Sequence, residues 1–481
     1  MNHPALYQRL AEHYLSAIRQ GSLLVGERMP SLRTLMARHG VSLSTALQLC
    51  RHLEERGVLE ARPRIGYFVR AGSRLPLQAA REPEVQVPDA AQYSGVHPRV
   101  SAIIASTMRV PARISLSCAR AAPELYPNEA LRHSMQRVLR QDDLLFGQAV
   151  AHNGDMRLRA ALAHQALAAR MVLAPEEILI THGCIEALNL ALRAVTQPGD
   201  LVAVESPTFF GLLQVLESLG LKTLEIPTSP HSGISLEALQ LAADMHPALR
   251  ALVVVPNLQN PLGCVMSDVN KRALVAWCEA MKIALIEDDT YAMLGSRDEH
   301  LSALKSWDHS GNVIHCASLH KSLSPGLRLG WMSAGRWQAR VEMLKYAQSR
   351  SNETLAQRAV ADFIESGHYD RHLRRLRGAL NTQRHAHAEA IARHFPEGTR
   401  LSVPEGGLSL WVELPDYVSS EKLFYQALEQ GIHLTPGCLF SNTRRFEHFL
   451  RINCGTPFSS QIDEALCELA RLMRSRTHNG Q

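Results

Sequence analysis

Five short apolar runs, at 178–181, 201–204, 252–255, 283–286 and 313–317, do most to restrict what this chain can fold into. Each is dominated by Ile, Leu, Val or Ala and lacks the polar alternation of a half-wet strand, as expected for strands covered on both faces. Helical segments lie between them, which makes the body α/β with a mainly parallel sheet. In such open sheets ligands gather beyond the carboxyl ends of the strands. The residues after each run are therefore the candidates for chemistry.

Behind 313–317 come Ser318, Lys321, a Ser-Pro-Gly turn and Arg328. That turn cannot continue a helix or a central strand, so Lys321 falls near a strand end. A desolvated lysine among cations is a nucleophile towards aldehydes, and a hydroxyl with a guanidinium suits a phosphate. An aldehyde carrying a phosphate is pyridoxal 5'-phosphate. A lone loop lysine would be read as a surface residue; the surrounding pattern argues against that. Behind 178–181, His182-Gly183-Cys184-Ile185 opens a helix whose free N–H groups favour phosphate. Behind 201–204, Phe209 and Phe210 follow Pro207. Phe209 either lies flat on a pyridine ring or joins the core, and Phe210 is expected in the core. Behind 252–255, Asn260 precedes a proline and is expected extended, serving a phenolate oxygen or an Asx turn. Behind 283–286 runs Glu287-Asp288-Asp289-Thr290-Tyr291. A carboxylate there is costly unless paired, and a protonated pyridine nitrogen is a fitting partner. The acids lack histidine or further ligands at metal spacing, so no metal is expected.

This set resembles the signature of fold type I pyridoxal-phosphate enzymes, the aspartate aminotransferase family, from about residue 113 to the C-terminus. The resemblance implies that Lys321 forms a Schiff base with the cofactor and Asp288 pairs with its ring nitrogen. Asn260 and Tyr291 would hold the phenolate oxygen and Phe209 would stack on the ring. Gly183, Cys184, Ile185, Ser318 and Arg328 would line the phosphate site. Lys321, Asp288 and Tyr291 make the catalytic set. Leu450-Arg451-Ile452-Asn453 looks like the family's carboxylate motif, with Arg451 as the grip. His320 departs from the family, where many members carry a small hydroxyl residue.

Charge separates the N-terminus from this body. Residues 1–72 hold ten arginines, no lysine and five acids, whereas the remainder is balanced at 41 basic and 41 acidic residues. A basic module on a neutral body implies a polyanion partner for the module. Helical spacing runs over 4–20 to Gly21, Ser31 caps a second helix ended by Gly40, and Ser42 caps a third to about 56. A hairpin at 58–61 and 66–69, with Arg62 and Arg64 in its loop, completes a winged helix-turn-helix. The segment resembles the GntR-type DNA-binding domain. That implies DNA contacts from Arg33, Ser42, Ser44, Thr45 and Gln48, and from a wing running from Arg62 through Arg64 to Gly66. Leu43 stands where that family often has a base-reading arginine, so base preference differs or rests more on Gln48 and the wing. A protein-binding winged helix is the alternative.

Residues 73–112, with scattered prolines and no sustained period, read as a linker holding a short helix near 100–108. The order, 1–72 head, 73–112 linker, 113–481 body with a smaller C-terminal α/β subdomain, resembles the MocR subfamily of GntR transcriptional regulators. The resemblance implies a homodimer on double-stranded operator DNA, with pyridoxal 5'-phosphate, an amino compound or both as effector. Two rivals remain: an aminotransferase with an accessory head, and a body that only dimerises. Nine scattered cysteines without a C-x-x-C pair, and no signal-peptide or membrane-length apolar run, lead to a cytoplasmic expectation with no membrane partner.

Overall fold

The first helices close on one another through the spacing that announced them. α1 (Leu6–Arg19), α2 (Leu32–His39) and α3 (Leu43–Glu55) are followed by a hairpin of β1 (Leu59–Arg62) and β2 (Gly66–Val69). In this computed structural model the described residues are 6–19, 22–24, 26–55, 58–62, 65–69, 96–295, 301–443 and 445–474; Gly21 and Arg64 fall outside them. The chain divides into two units after Pro76.

In the N-terminal unit Ala46, Leu49 and Leu53 of α3 are fully buried with Leu35, Leu15, Leu59 and Val69. Ser31 Oγ accepts from Thr34 N at 3.2 Å and Ser42 Oγ from Thr45 N at 3.3 Å, capping α2 and α3 as their positions predict. Gly40 takes φ +62°, the left-handed turn that ends α2. The segment 26–29 adds a third edge to the hairpin, through Met29 N to Tyr67 O and Val69 N to Glu27 O, both 2.8 Å.

The second unit begins, among described residues, with α4 (Val96–Arg109). This helix is longer than the spacing indicated and packs on the body rather than standing in a linker: Val100 and Ile103 are buried, and Arg99 donates to Asn442 O and Ser441 O at 3.0 and 3.2 Å. The large sheet contains β3 (Leu179–Thr181), β4 (Leu201–Ser206), β5 (Lys222–Ser229), β6 (Gly233–Ile234), β7 (Leu249–Val254), β8 (Ala284–Asp288), β9 (Val313–Ser318) and β10 (Gly330–Ser333), with α5 (Cys184–Val195) after β3. Its order is β3-β10-β9-β8-β7-β4-β5-β6. β4, β5, β7, β8 and β9 pair in parallel, while β10 runs antiparallel to both β9 and β3. β4, β8 and β9 are buried along their whole lengths, as the continuous apolar runs require. A smaller antiparallel sheet, β11 (Arg400–Ser402), β12 (Ser409–Glu413), β13 (Thr435–Pro436) and β14 (Phe449–Asn453), has the order β11-β12-β14-β13. It puts Arg451 on an inner strand with Thr435 opposite. No helix among the described residues is long and apolar enough to cross a membrane.

Candidate cofactor site

The carboxyl ends of β3, β4, β7, β8 and β9 open onto one cavity of about 510 Å³. Gly183, Cys184, Ile185, Phe209, Asn260, Asp288, Tyr291, Ser318, Lys321, Arg328 and Arg451 all line it. Thus every body residue that the resemblance assigns to the cofactor or the carboxylate converges on a single space.

Lys321 lies just past β9, and its Nζ donates to Ala119 O at 2.6 Å. Burial, reinforced by the Arg451, Arg120 and Arg328 cations, lowers its pKa to about 8. The amine is thus far easier to deprotonate than an ordinary lysine. Asp288 is the last residue of β8. Its Oδ1 accepts from Thr290 Oγ1 (2.6 Å), Thr290 N (3.1 Å) and Cys184 Sγ (3.3 Å). All three bonds reach one oxygen, which leaves Oδ2 for a ligand. Burial raises this carboxyl's pKa against those hydrogen bonds. A cationic partner would reverse that cost.

Tyr291 follows on the same loop, and burial lifts its phenol to about 12. Its hydroxyl receives Asn260 Nδ2 at 3.4 Å, and Asn260 Oδ1 receives Arg451 Nη1 at 3.1 Å. The Asn260–Pro261 peptide bond is cis. Arg451 is 4% exposed, also donates to Ser117 O at 2.6 Å, and its Nε has no partner among the described residues. A buried guanidinium with an unmatched donor is suited to a carboxylate.

The end of the cavity expected to take phosphate is assembled from backbone as much as side chains. Gly183 precedes α5 at φ +83°, and a Cβ there would meet Arg328 Nη2 at 3.4 Å. Gly330, unremarked in the sequence, is what lets β10 approach this turn. A Cβ on it would lie 2.7 Å from both Ala317 O and Gly183 Cα. Arg328, at φ +52°, donates to His182 O at 3.3 Å and meets His320 Nδ1 at 2.9 Å. Because arginine has only donors, His320 Nδ1 must accept there. Burial, with Lys321, Arg328 and Arg120 close by, pushes the imidazole down to about 4, so it is neutral.

One side chain, Phe210, differs from expectation, and the Cys184 thiol has a partner of its own. Cys184 directs its thiol to Asp288, so only its backbone N–H, in the first turn of α5, remains for phosphate. Phe210 lines the cavity instead of sealing the core, 5.6 Å from Phe440. Gly211 leaves room for the Phe209 ring, which a Cβ there would meet at 2.4 Å. The three adjacent acids turn to different partners. Glu287 takes Leu304 N and His315 Nδ1 at 2.6 and 2.9 Å, and Asp289 takes Asn257 Nδ2 at 3.0 Å. Strand alternation sends Asp288 the other way. Groups of three or more metal-ligating side chains are absent among the described residues. The wall segment 117–120 and Thr290 carried no sequence signal, since loops have no period.

In the N-terminal unit Arg33, Ser42, Ser44, Gln48 and Arg62 are exposed, with Thr45 and Gly66 partly so. Ser42 Oγ joins Ser44 Oγ and Thr45 Oγ1 at 2.8 and 2.9 Å. Arg62 pairs with Glu60 at 2.6 Å over the Phe68 ring.

Comparison with known families accounts for both units. Residues 6–69 match the model for bacterial regulatory proteins of the gntR family, and residues 126–469 match aminotransferase class I and II. The uncharacterized HTH-type transcriptional regulator YjiR of Escherichia coli is 37% identical over 96% of this chain and 97% of its own. The chain belongs to the MocR-type GntR transcriptional regulators. A second such regulator from the same organism, YdcR, is 34% identical over 98% of this chain and 99% of its own. The body of this MocR-type chain is also similar to LysN, the α-aminoadipate aminotransferase of Thermus thermophilus, solved with N-(5'-phosphopyridoxyl)-L-leucine. Identity is 28% and the TM-score 0.70, over 78% of this chain and 96% of that one. MocR-type architecture thus joins a DNA-binding head to an aminotransferase fold in one polypeptide.

Proposed function

We propose that this regulator binds pyridoxal 5'-phosphate in the cavity at Lys321 and alters its hold on operator DNA when an amino compound enters. The observation that carries the reading is the Lys321 amine, lowered to about 8, in one cavity with buried Asp288 and Arg451. When bound, the cofactor supplies an aldehyde for an amine and a ring that withdraws electrons from whatever amine it holds.

The chain's own residues supply the rest. Lys321 offers the amine and, when displaced, can move a proton. Asp288, through Oδ2, keeps a ring nitrogen protonated. Asn260 and Tyr291 hold a phenolate oxygen, and Phe209 covers the ring. Gly183, Cys184 and Ile185 offer the N–H groups of a helix start to phosphate, beside Ser318 and Arg328. Arg451 takes the carboxylate of an amino acid. Arg33, Ser42, Ser44, Thr45, Gln48, Arg62, Arg64 and Gly66 meet the DNA. A homodimer would present two heads to two half-sites, and a ligand that favours one spacing of heads shifts the population. Such a protein works in the cytoplasm.

An aminotransferase with an accessory head is the second reading, since Lys321, Asp288 and Arg451 are also the groups that turnover needs. Visible absorbance of the purified protein supplied with the cofactor tests the site: a coloured parent beside a colourless Lys321→Ala variant supports it, and a colourless parent rejects it. Sustained amino-group transfer to a keto acid, without specific operator binding, would favour the enzyme.

A further inference from the structure

The outer wall of the same cavity has a different character from its floor. Val100, Ile103, Ile104, Thr107 and Met108 are spaced three and four apart, so they share one face of α4, and all five line the cavity. Leu434 and Leu439 continue that apolar lining. The charged groups of the lining, Arg120, Asp288, Lys321, Arg328 and Arg451, come from other elements; α4 contributes none. An Arg99 anchor to Ser441 O and Asn442 O fixes the first turn of this helix against the body.

We infer that the effector is an α-amino acid with an apolar side chain, and that α4 selects it through Ile103 and Ile104. The inference rests on the reading that Lys321 holds the cofactor and Arg451 the carboxylate. With those two ends engaged, the side chain has the α4 face to cover. An apolar group there leaves water for apolar surface. A charged side chain against the same face is desolvated without a partner.

The test titrates the cofactor-loaded full chain with L-leucine, L-methionine, L-glutamate and L-lysine, reading the visible spectrum. The apolar pair is expected to act at concentrations at least about tenfold lower than the charged pair, the usual scale of discrimination by an apolar pocket. Ile104 is 45% exposed, so Ile104→Arg can be made without burying a charge in the core. It should weaken L-leucine and strengthen L-glutamate, while Ile104→Leu keeps the parent order. The inference is overturned if L-glutamate or L-lysine acts as well as L-leucine, if Ile104→Arg leaves the order unchanged, or if none of the four alters a Lys321-dependent spectrum. Absence of any Lys321-dependent absorbance in the parent is a separate result, which rejects the cofactor reading and the inference with it.

Discussion

Asn260 binds the Arg451 guanidinium through Oδ1, at 3.1 Å from Nη1, while its Nδ2 faces the Tyr291 hydroxyl at 3.4 Å. One amide thus links the group proposed to grip a carboxylate with the group proposed to hold a phenolate oxygen.

Arg451→Gln should separate the two ends. A hydrogen bond to a charged group contributes about 1.5–3 kcal/mol, so amino-acid affinity should fall by tenfold or more while cofactor absorbance persists. Arg451→Lys should restore only part of the affinity, because an ammonium cannot make a two-pronged contact. Spectral titration of the loaded variants checks both.

Cofactor uptake should depend on pH in a set direction. Only the deprotonated Lys321 amine is a nucleophile. With its pKa near 8, roughly a tenth is deprotonated at pH 7. The rate of uptake by the apo-protein should rise about tenfold per pH unit below that value and level off above it. Absorbance followed after rapid mixing, from mildly acidic to alkaline pH, reads this; a rise continuing to the ordinary lysine range would contradict the lowered pKa.

Gly330→Ala should damage the phosphate end. The added methyl would lie 2.7 Å from Ala317 O and Gly183 Cα, both backbone atoms that cannot step aside. Overpacking of this kind costs about 1–3 kcal/mol. Urea unfolding and cofactor affinity should both weaken, and the affinity more than for an alanine at Gly326, whose Cβ would meet only Ser324 Oγ at 3.9 Å.

On the head, Arg33→Ala should weaken binding across DNA sequences and lower the salt slope by about one, the mark of a lost phosphate contact. Gln48→Ala should instead relax preference at particular base pairs. Fluorescence anisotropy at several salt concentrations distinguishes the two.

The strands and their terminal residues were legible because burial on both faces leaves an unbroken apolar run, and each run is followed by unusual polar residues. The caps at Ser31 and Ser42 were legible for a similar local reason. What escaped notice depends on distant packing. Gly330 matters only because Gly183 lies against it, and α4 belongs to the body only through long-range contacts such as Arg99 with Ser441. The Cys184 thiol is drawn to Asp288 across 104 residues of sequence, which no spacing rule records.

Lys321 chemistry and DNA binding meet in one measurement: affinity for the operator upstream of the protein's own gene, with and without pyridoxal 5'-phosphate, in the parent and in Lys321→Ala. The cofactor should change the parent's affinity severalfold and leave the variant's unchanged. An identical response in both proteins, or none in a parent that is visibly loaded, would contradict this expectation.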